Sequence, residues 1–448
     1  MSFDTAAFWL FAVVVWAVYL IIRNNAARIG LLIAASVLYY ASWNVWYLAL
    51  LAGFTAISFW IGNTAYRGAH FPLMFAGVSI CTAGLAAAKV WGHPLPVGVS
   101  FYALQAIAYI VDCYRGDLKE RAGLLRYSLY MSFFPRLLAG PVVRPGDFLP
   151  QTILPETISR PRLTSADIWE GLVLIVFGLF KKLVIADNLA LVVDPVFGNL
   201  HTSGARIVLA TYAFALQIYC DFAGYTDMAL GVARFFGYKL PENFNWPYLS
   251  KNPADFWRRW HISLSNWLRD YVYFSLPGHR SKSRIYSYIH FPITMLICGI
   301  WHGLGWTYTL WGLYHGILLA GYYKLRPKAK KNESQWTLGS IGSILLMQQL
   351  SVLGWILFRL NRISDLPVYF RQLTQSEFAA TFTDAEWMAV TLMALALLAH
   401  LAEQVRPLAP IILRNRWHPW TMTVLLIALL ATATWNVPAQ QMFFYFRF

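Results

Sequence analysis

Apolar runs separated by short polar turns recur along the whole chain. They fall at residues 6–22, 30–42, 46–62, 73–90, 97–111, 168–184, 207–233, 286–300, 307–323, 341–358, 387–401 and 421–435. A helix that crosses a bilayer fully needs about 17–25 mostly apolar residues. The pattern therefore predicts an all-α, polytopic membrane protein of roughly eleven to twelve helical segments, with re-entrant or interfacial helices between them. No internal repeat or low-complexity tract interrupts it, and the chain reads as a single membrane-embedded domain over 1–448.

Two stretches break the rhythm. Residues 124–151, LLRYSLYMSFFPRLLAGPVVRPGDFLPQ, are apolar but carry Pro135, Gly140, Pro141, Pro145 and Gly146, which interrupt any helix. Irregular backbone at membrane depth is tolerated only against protein or a water-filled cavity, so this stretch is expected to be re-entrant or interfacial and to face the interior. Residues 256–271, FWRRWHISLSNWLRDY, place Phe256, Trp257, Trp260, Leu264, Trp267, Leu268 and Tyr271 within an arc of about 120° on one helix. Arg258, Arg259, Asn266, Arg269 and Asp270 take the other side, which predicts one interfacial amphipathic helix with His261 at the edge of its apolar arc.

Composition strengthens the membrane reading. The 448 residues are 58% hydrophobic and 13% charged, about half the charged share of an ordinary globular chain. Mean hydropathy is +0.48, and a soluble enzyme of this size is excluded on that ground. The net charge of +15 does not point to nucleic acid, because Lys and Arg gather in short loops between apolar runs. Those loops orient the chain. The N-terminus lies outside and the polar segment 234–284 is cytoplasmic. Residues 187–203, which lack lysine, and 361–386 form short outer loops. Asp4 and the absence of a basic stretch before residue 6 suggest a retained first span rather than a cleaved leader. The four cysteines, Cys81, Cys113, Cys220 and Cys298, show no paired spacing, so neither a disulfide framework nor a metal site is indicated.

Ionisable groups at membrane depth are costly and mark candidate chemistry. His302 and His315 lie within GIWHGLGWTYTLWGLYHG (299–316), the stretch between two apolar runs. On one continuous helix they would stand about 220° apart, so both reach one site only if Gly303 and Gly305 break the helix. Asp221 and Asp227 sit in YCDFAGYTDMALG. They are expected to form ion pairs with Arg136 or Arg258, with Lys181 and Lys182 as further neutralising partners. The common soluble catalytic motifs are absent in a suitable context.

Six stretches together resemble the membrane-bound O-acyltransferases, in the bacterial branch that acylates cell-surface polymers such as alginate. They are LPVGVSFYALQAIAYIVDCYRG (95–116), SFFPRLLAGPVVRPGDFLPQ (132–151), GLFKKLVIADNLA (178–190), YCDFAGYTDMALGVARFFGYKLPENFNWPY (219–248), FWRRWHISLSNWLRDYVY (256–273) and the 299–316 stretch, a core of about 95–320. The resemblance implies an acyltransferase fold with a cytoplasmic entry for a thioester donor and an opposite entry for the acceptor. It ties the histidine of the WHG element, His302, to catalysis, and it places His261 at the second site position. His302 is then the expected general base, with His261 polarising the thioester carbonyl or orienting the donor. Weaker candidates are His315, Asp221, Asp227, Trp301 and Cys220, and Arg258, Arg259 and Trp257 are donor-side binding candidates.

No bound cofactor is expected. The implied donor is acetyl-CoA or an acyl-carrier thioester. The implied acceptor is an extracytoplasmic polysaccharide, served by an extracytoplasmic acyltransferase partner, and the implied location is the bacterial inner membrane. Transfer of D-alanine to teichoic acid, or acetylation of cellulose or peptidoglycan, fits the same motifs. A proton-coupled transporter using the aspartates and histidines is the alternative from another class, disfavoured by the lack of inverted repeats.

Overall fold

The computed structural model describes residues 1–68, 70–91, 95–153, 163–278, 284–325, 338–375 and 381–405, together with 424 and 443. Among them every regular element is helical. The expected run at 421–435 lies almost wholly outside the described residues. The chain forms two compact units, one of residues 1–180, 222–242 and 442–448, the other of 181–221 and 243–441.

The first unit opens with α1 (Ala6–Ile21), α2 (Asn25–Ala41), α3 (Tyr47–Thr64), α4 (Phe71–Trp91) and α5 (Val99–Arg115). These match the first five predicted runs, with α2 beginning five residues earlier than its hydropathy suggests. Asn24 explains that start, because its side chain accepts from the Ala27 N–H at 2.9 Å and caps the helix before the apolar run begins. Leu10, Val13, Trp46, Trp60 and Phe75 are exposed, as lipid-facing side chains are in a membrane helix. Inside, Phe3, Phe8, Phe11, Tyr39 and Phe134 pack ring against ring, with Phe3 and Phe8 4.4 Å apart.

The broken stretch behaves as its prolines predict. After α6 (Leu124–Ser132) the backbone is irregular through residue 144, then makes the one-turn helix α7 (Pro145–Phe148). Residues 133–143 are all buried. Their polar groups find protein partners: the Phe134 N–H donates to Ser36 Oγ at 3.0 Å, and Tyr130 Oη donates to the Val143 carbonyl at 3.1 Å. Arg136 donates to the Tyr130 carbonyl, and its guanidinium lies over the rings of Tyr130 and Phe148 at 5.0 and 4.8 Å. The next helix, α8 (Ser165–Leu179), opens on a capping box between Thr164 and Asp167.

The π-helical segment Phe180–Ala186, all but its first residue in the second unit, leads into α9 (Asp187–Gly198). The outer loop expected at 187–203 is therefore largely helix. Another helix, α16 (Asp365–Gln375), occupies part of the loop expected at 361–386. Both are too short to span, which is why hydropathy alone misses them. Between them come α10 (Gly204–Phe235), whose last part belongs to the first unit, then α11 (Pro253–Arg259), α12 (Ile262–Trp267), α13 (Arg284–His302), α14 (Trp306–Leu325) and α15 (Leu338–Arg359); α17 (Asp384–Val405) follows. By length and composition α3, α4, α10 and most of α15 suffice to cross a membrane.

The pair α13–α14 is a tight antiparallel hairpin. A Cβ on Gly312 would sit 2.2 Å from the Met295 carbonyl oxygen, and one on Gly299 2.2 Å from that of Tyr308. Only glycine lets the two backbones approach this closely.

Candidate active site

The hairpin turn decides the geometry. Helix α13 ends at His302 and α14 begins at Trp306, so Gly303 and Gly305 do break the helix. The 220° separation of an unbroken helix does not apply, and both histidines reach the same indole. His302 packs on Trp311 at 5.2 Å between ring centres, and His315 packs on the same ring at 5.0 Å. His302 also meets Trp301 at 4.7 Å and Phe358 of α15 at 5.2 Å.

His261 comes to the same place by a route the helical wheel did not foresee. The single amphipathic helix expected over 256–271 is two helices, α11 and α12, broken at Trp260 and His261. Trp260 is extended, and His261 has φ 42° and ψ 54°, a left-handed conformation that non-glycine residues adopt at a cost. The segment around Asn243 holds the break open. The Ile262 N–H donates to the Asn243 carbonyl at 2.9 Å, the Ser263 N–H and hydroxyl donate to Asn243 Oδ1 at 3.2 and 2.6 Å, and the Asn245 N–H donates to the Arg259 carbonyl at 2.9 Å. These contacts lie far apart in sequence, so no local pattern announces them. The bend buries His261 against Trp301, with ring centres 6.3 Å apart. Trp301 thus touches both His261 and His302. Burial pushes the His261 imidazole down to about 3, so it is neutral at pH 7.

The apolar face itself is as expected, with Phe256, Trp257, Trp260, Leu264, Trp267 and Leu268 buried. Trp257 has two environments. It meets Trp311 at 5.8 Å and His315 at 5.3 Å, and it also lines a cavity of about 420 Å³. The cavity lies between α11–α12 and α13–α14 and includes Arg258, Asn266, Arg269, Thr294 and Met295 among its lining residues. Of the arginines singled out from sequence, Arg258 is exposed on this lining. Arg259 is not part of it, because it turns to Asp255 at 3.2 Å and to the Asn245 carbonyl. Arg269 is a lining residue that sequence reasoning assigned only to the polar face.

Of the partners expected for Asp221, the structure shows Lys182, whose Nζ lies 2.9 Å from Asp221 Oδ1 and 2.8 Å from Asp187 Oδ1. All three side chains are buried. The π-helical turn carrying Lys182 sets this geometry, and a wider turn of that kind has no hydropathy signature. Cys220 is buried and lies beside this cluster in sequence, and Asp227 is half-buried in the first unit.

Three imidazoles thus gather on two tryptophans beside a cavity rimmed by arginine. Residues 114–347 match the membrane-bound O-acyltransferase family. The chain is 34% identical to the "Probable alginate O-acetylase AlgI" of Azotobacter vinelandii, over 80% of this chain and 73% of that protein. It is also 34% identical to the "Peptidoglycan O-acetyltransferase" of Helicobacter pylori (75% and 71% covered) and 30% identical to the "Teichoic acid D-alanyltransferase" of Bacillus subtilis (70% and 82%). The chain belongs to the membrane-bound O-acyltransferase family and is an acyltransferase.

Proposed function

We propose that this enzyme takes an acetyl group from a cytoplasmic thioester, acetyl-CoA or an acyl-carrier thioester, for O-acetylation of an extracytoplasmic polysaccharide of the alginate kind. The observation that carries this reading is the position of His302 at the break between α13 and α14, in contact with Trp311, which Trp257 connects to the cavity. The similarity to the Azotobacter protein over most of both chains supports the acetyl group and the acceptor class.

A hydroxyl is a weak nucleophile at neutral pH and needs a base within hydrogen-bond reach. In this mechanism His302 accepts the acceptor's hydroxyl proton as the oxygen attacks the thioester carbonyl carbon. The C–S bond then breaks, the thiolate leaves, and His302 returns the proton to it. One ester and one thiol form from one alcohol and one thioester, with no net proton change. His261, neutral and fixed by Trp301, orients or polarises the donor. Arg258 and Arg269, which line the cavity and pair with Asp255 and Asp270, would meet donor phosphates in this reading.

The cytoplasmic donor side and the charge bias support an inner-membrane location. In this reading the acetyl group passes to an extracytoplasmic acyltransferase partner. The equal identity to the Helicobacter protein favours peptidoglycan as the second acceptor reading. Mass analysis of surface polymers from cells with and without this chain tests both. Loss of acetyl esters from an exopolysaccharide supports the first reading, loss from peptidoglycan the second, and no change in either contradicts the proposal.

A further inference from the structure

The sequence offers His315 only as a weaker candidate, and its surroundings argue for a larger part. It is 1% exposed, stacks on Phe256 at 6.0 Å with the rings 8° from parallel, and meets Trp257, Trp311 and Tyr314 edge-on. Neither of its ring nitrogens has a hydrogen-bond partner among the described residues, and the same holds for the indole N–H of Trp257, Trp311 and Trp355. Buried polar groups are nearly always satisfied, and leaving one without a partner is costly. A phenylalanine would fill the same space without that cost. Several such groups on rings that touch one another point to a polar guest.

The backbone opposite is shaped to the imidazole. A Cβ added to Gly354 of α15 would lie 2.7 Å from His315 Nε2, so this helix approaches the ring nitrogen as only glycine permits. On the other side Trp257 joins His315 directly to the lining of the 420 Å³ cavity, while Trp311 joins it to His302. His315 is in direct ring contact with Trp257, a residue lining that cavity.

We propose that His315 is a donor-binding residue. One imidazole N–H donates to the carbonyl oxygen of the acyl thioester as the acyl end passes Trp257 from the cavity towards His302. Carbonyl oxygens accept and indole N–H groups only donate, so the surrounding tryptophans suit the same guest. This assignment rests on the thioester-donor reading above and adds a contact to it.

The test is steady-state kinetics of the full-length enzyme, with its acceptor system and acetyl-CoA as the varied donor. His315→Leu is expected to raise the donor KM about three- to tenfold, the size of one lost hydrogen bond, with the acceptor KM unchanged. His315→Gln keeps an N–H donor and is expected to recover most of the loss. Gly354→Ala displaces the imidazole without altering it and is expected to raise the donor KM as His315→Leu does. It also decides the matter if the leucine variant does not fold. An unchanged donor KM in Gly354→Ala and in the folded His315 variants overturns the assignment, as does an equal shift in both KM values. A wild-type enzyme that uses no thioester at all would instead overturn the proposed function.

Discussion

Trp311 is the residue on which the site turns, because both hairpin histidines pack on it and Trp257 reaches it from the cavity side. Replacing it with alanine removes a fully buried ring, a change that costs on the order of 3–5 kcal/mol at the large end of core truncations. Trp311→Phe is milder and is expected to lower acetyl transfer while keeping the protein folded, measured as polymer ester content against protein inserted in membranes. Lys182 gives the sharper stability prediction. Lys182→Met would leave Asp187 and Asp221 buried without their shared cation, and breaking a buried pair this way costs about 3–5 kcal/mol. A large drop in melting temperature in detergent is the expected outcome, and an unchanged value would contradict a structural role for the cluster. The histidines and aspartates were legible in the sequence as costly residues. Lys182 was legible as a partner of Asp221, but Asp187 as its second carboxylate was not, since the π-helical turn that joins them leaves no mark on hydropathy.

At the scale of elements, hydropathy located most of the long helices to within a few residues, because the need to satisfy every backbone group in lipid leaves few alternatives to a helix. It failed where an element is short or bent by distant contacts. Helices α9 and α16 were read as loops, and the bend at His261 was read as continuous helix. Asn243 causes that bend, so Asn243→Ala is expected to loosen it and lower transfer without touching any imidazole. The bend also carries a pH signature. Burial holds His261 below its unfolded value of about 6.5, so its contribution to stability is complete above that pH and is lost as pH falls towards 3. The melting temperature of the wild type should therefore fall more steeply between pH 7 and 5 than that of His261→Gln. Parallel pH dependence would show that His261 titrates normally.

For the molecule as a whole, composition alone was enough to place the chain in a membrane, and six dispersed motifs were enough to suggest its family. What they left open was which residues share a site, a question of packing between α11–α12, α13–α14 and α15. The resulting account has one centre, His302. The most direct test is acetyl transfer by His302→Ala, compared with wild type at equal membrane insertion and equal melting temperature. The account predicts a loss of about 10²–10⁴-fold, the contribution of a general base. Wild-type levels of polymer acetylation by that variant would contradict it.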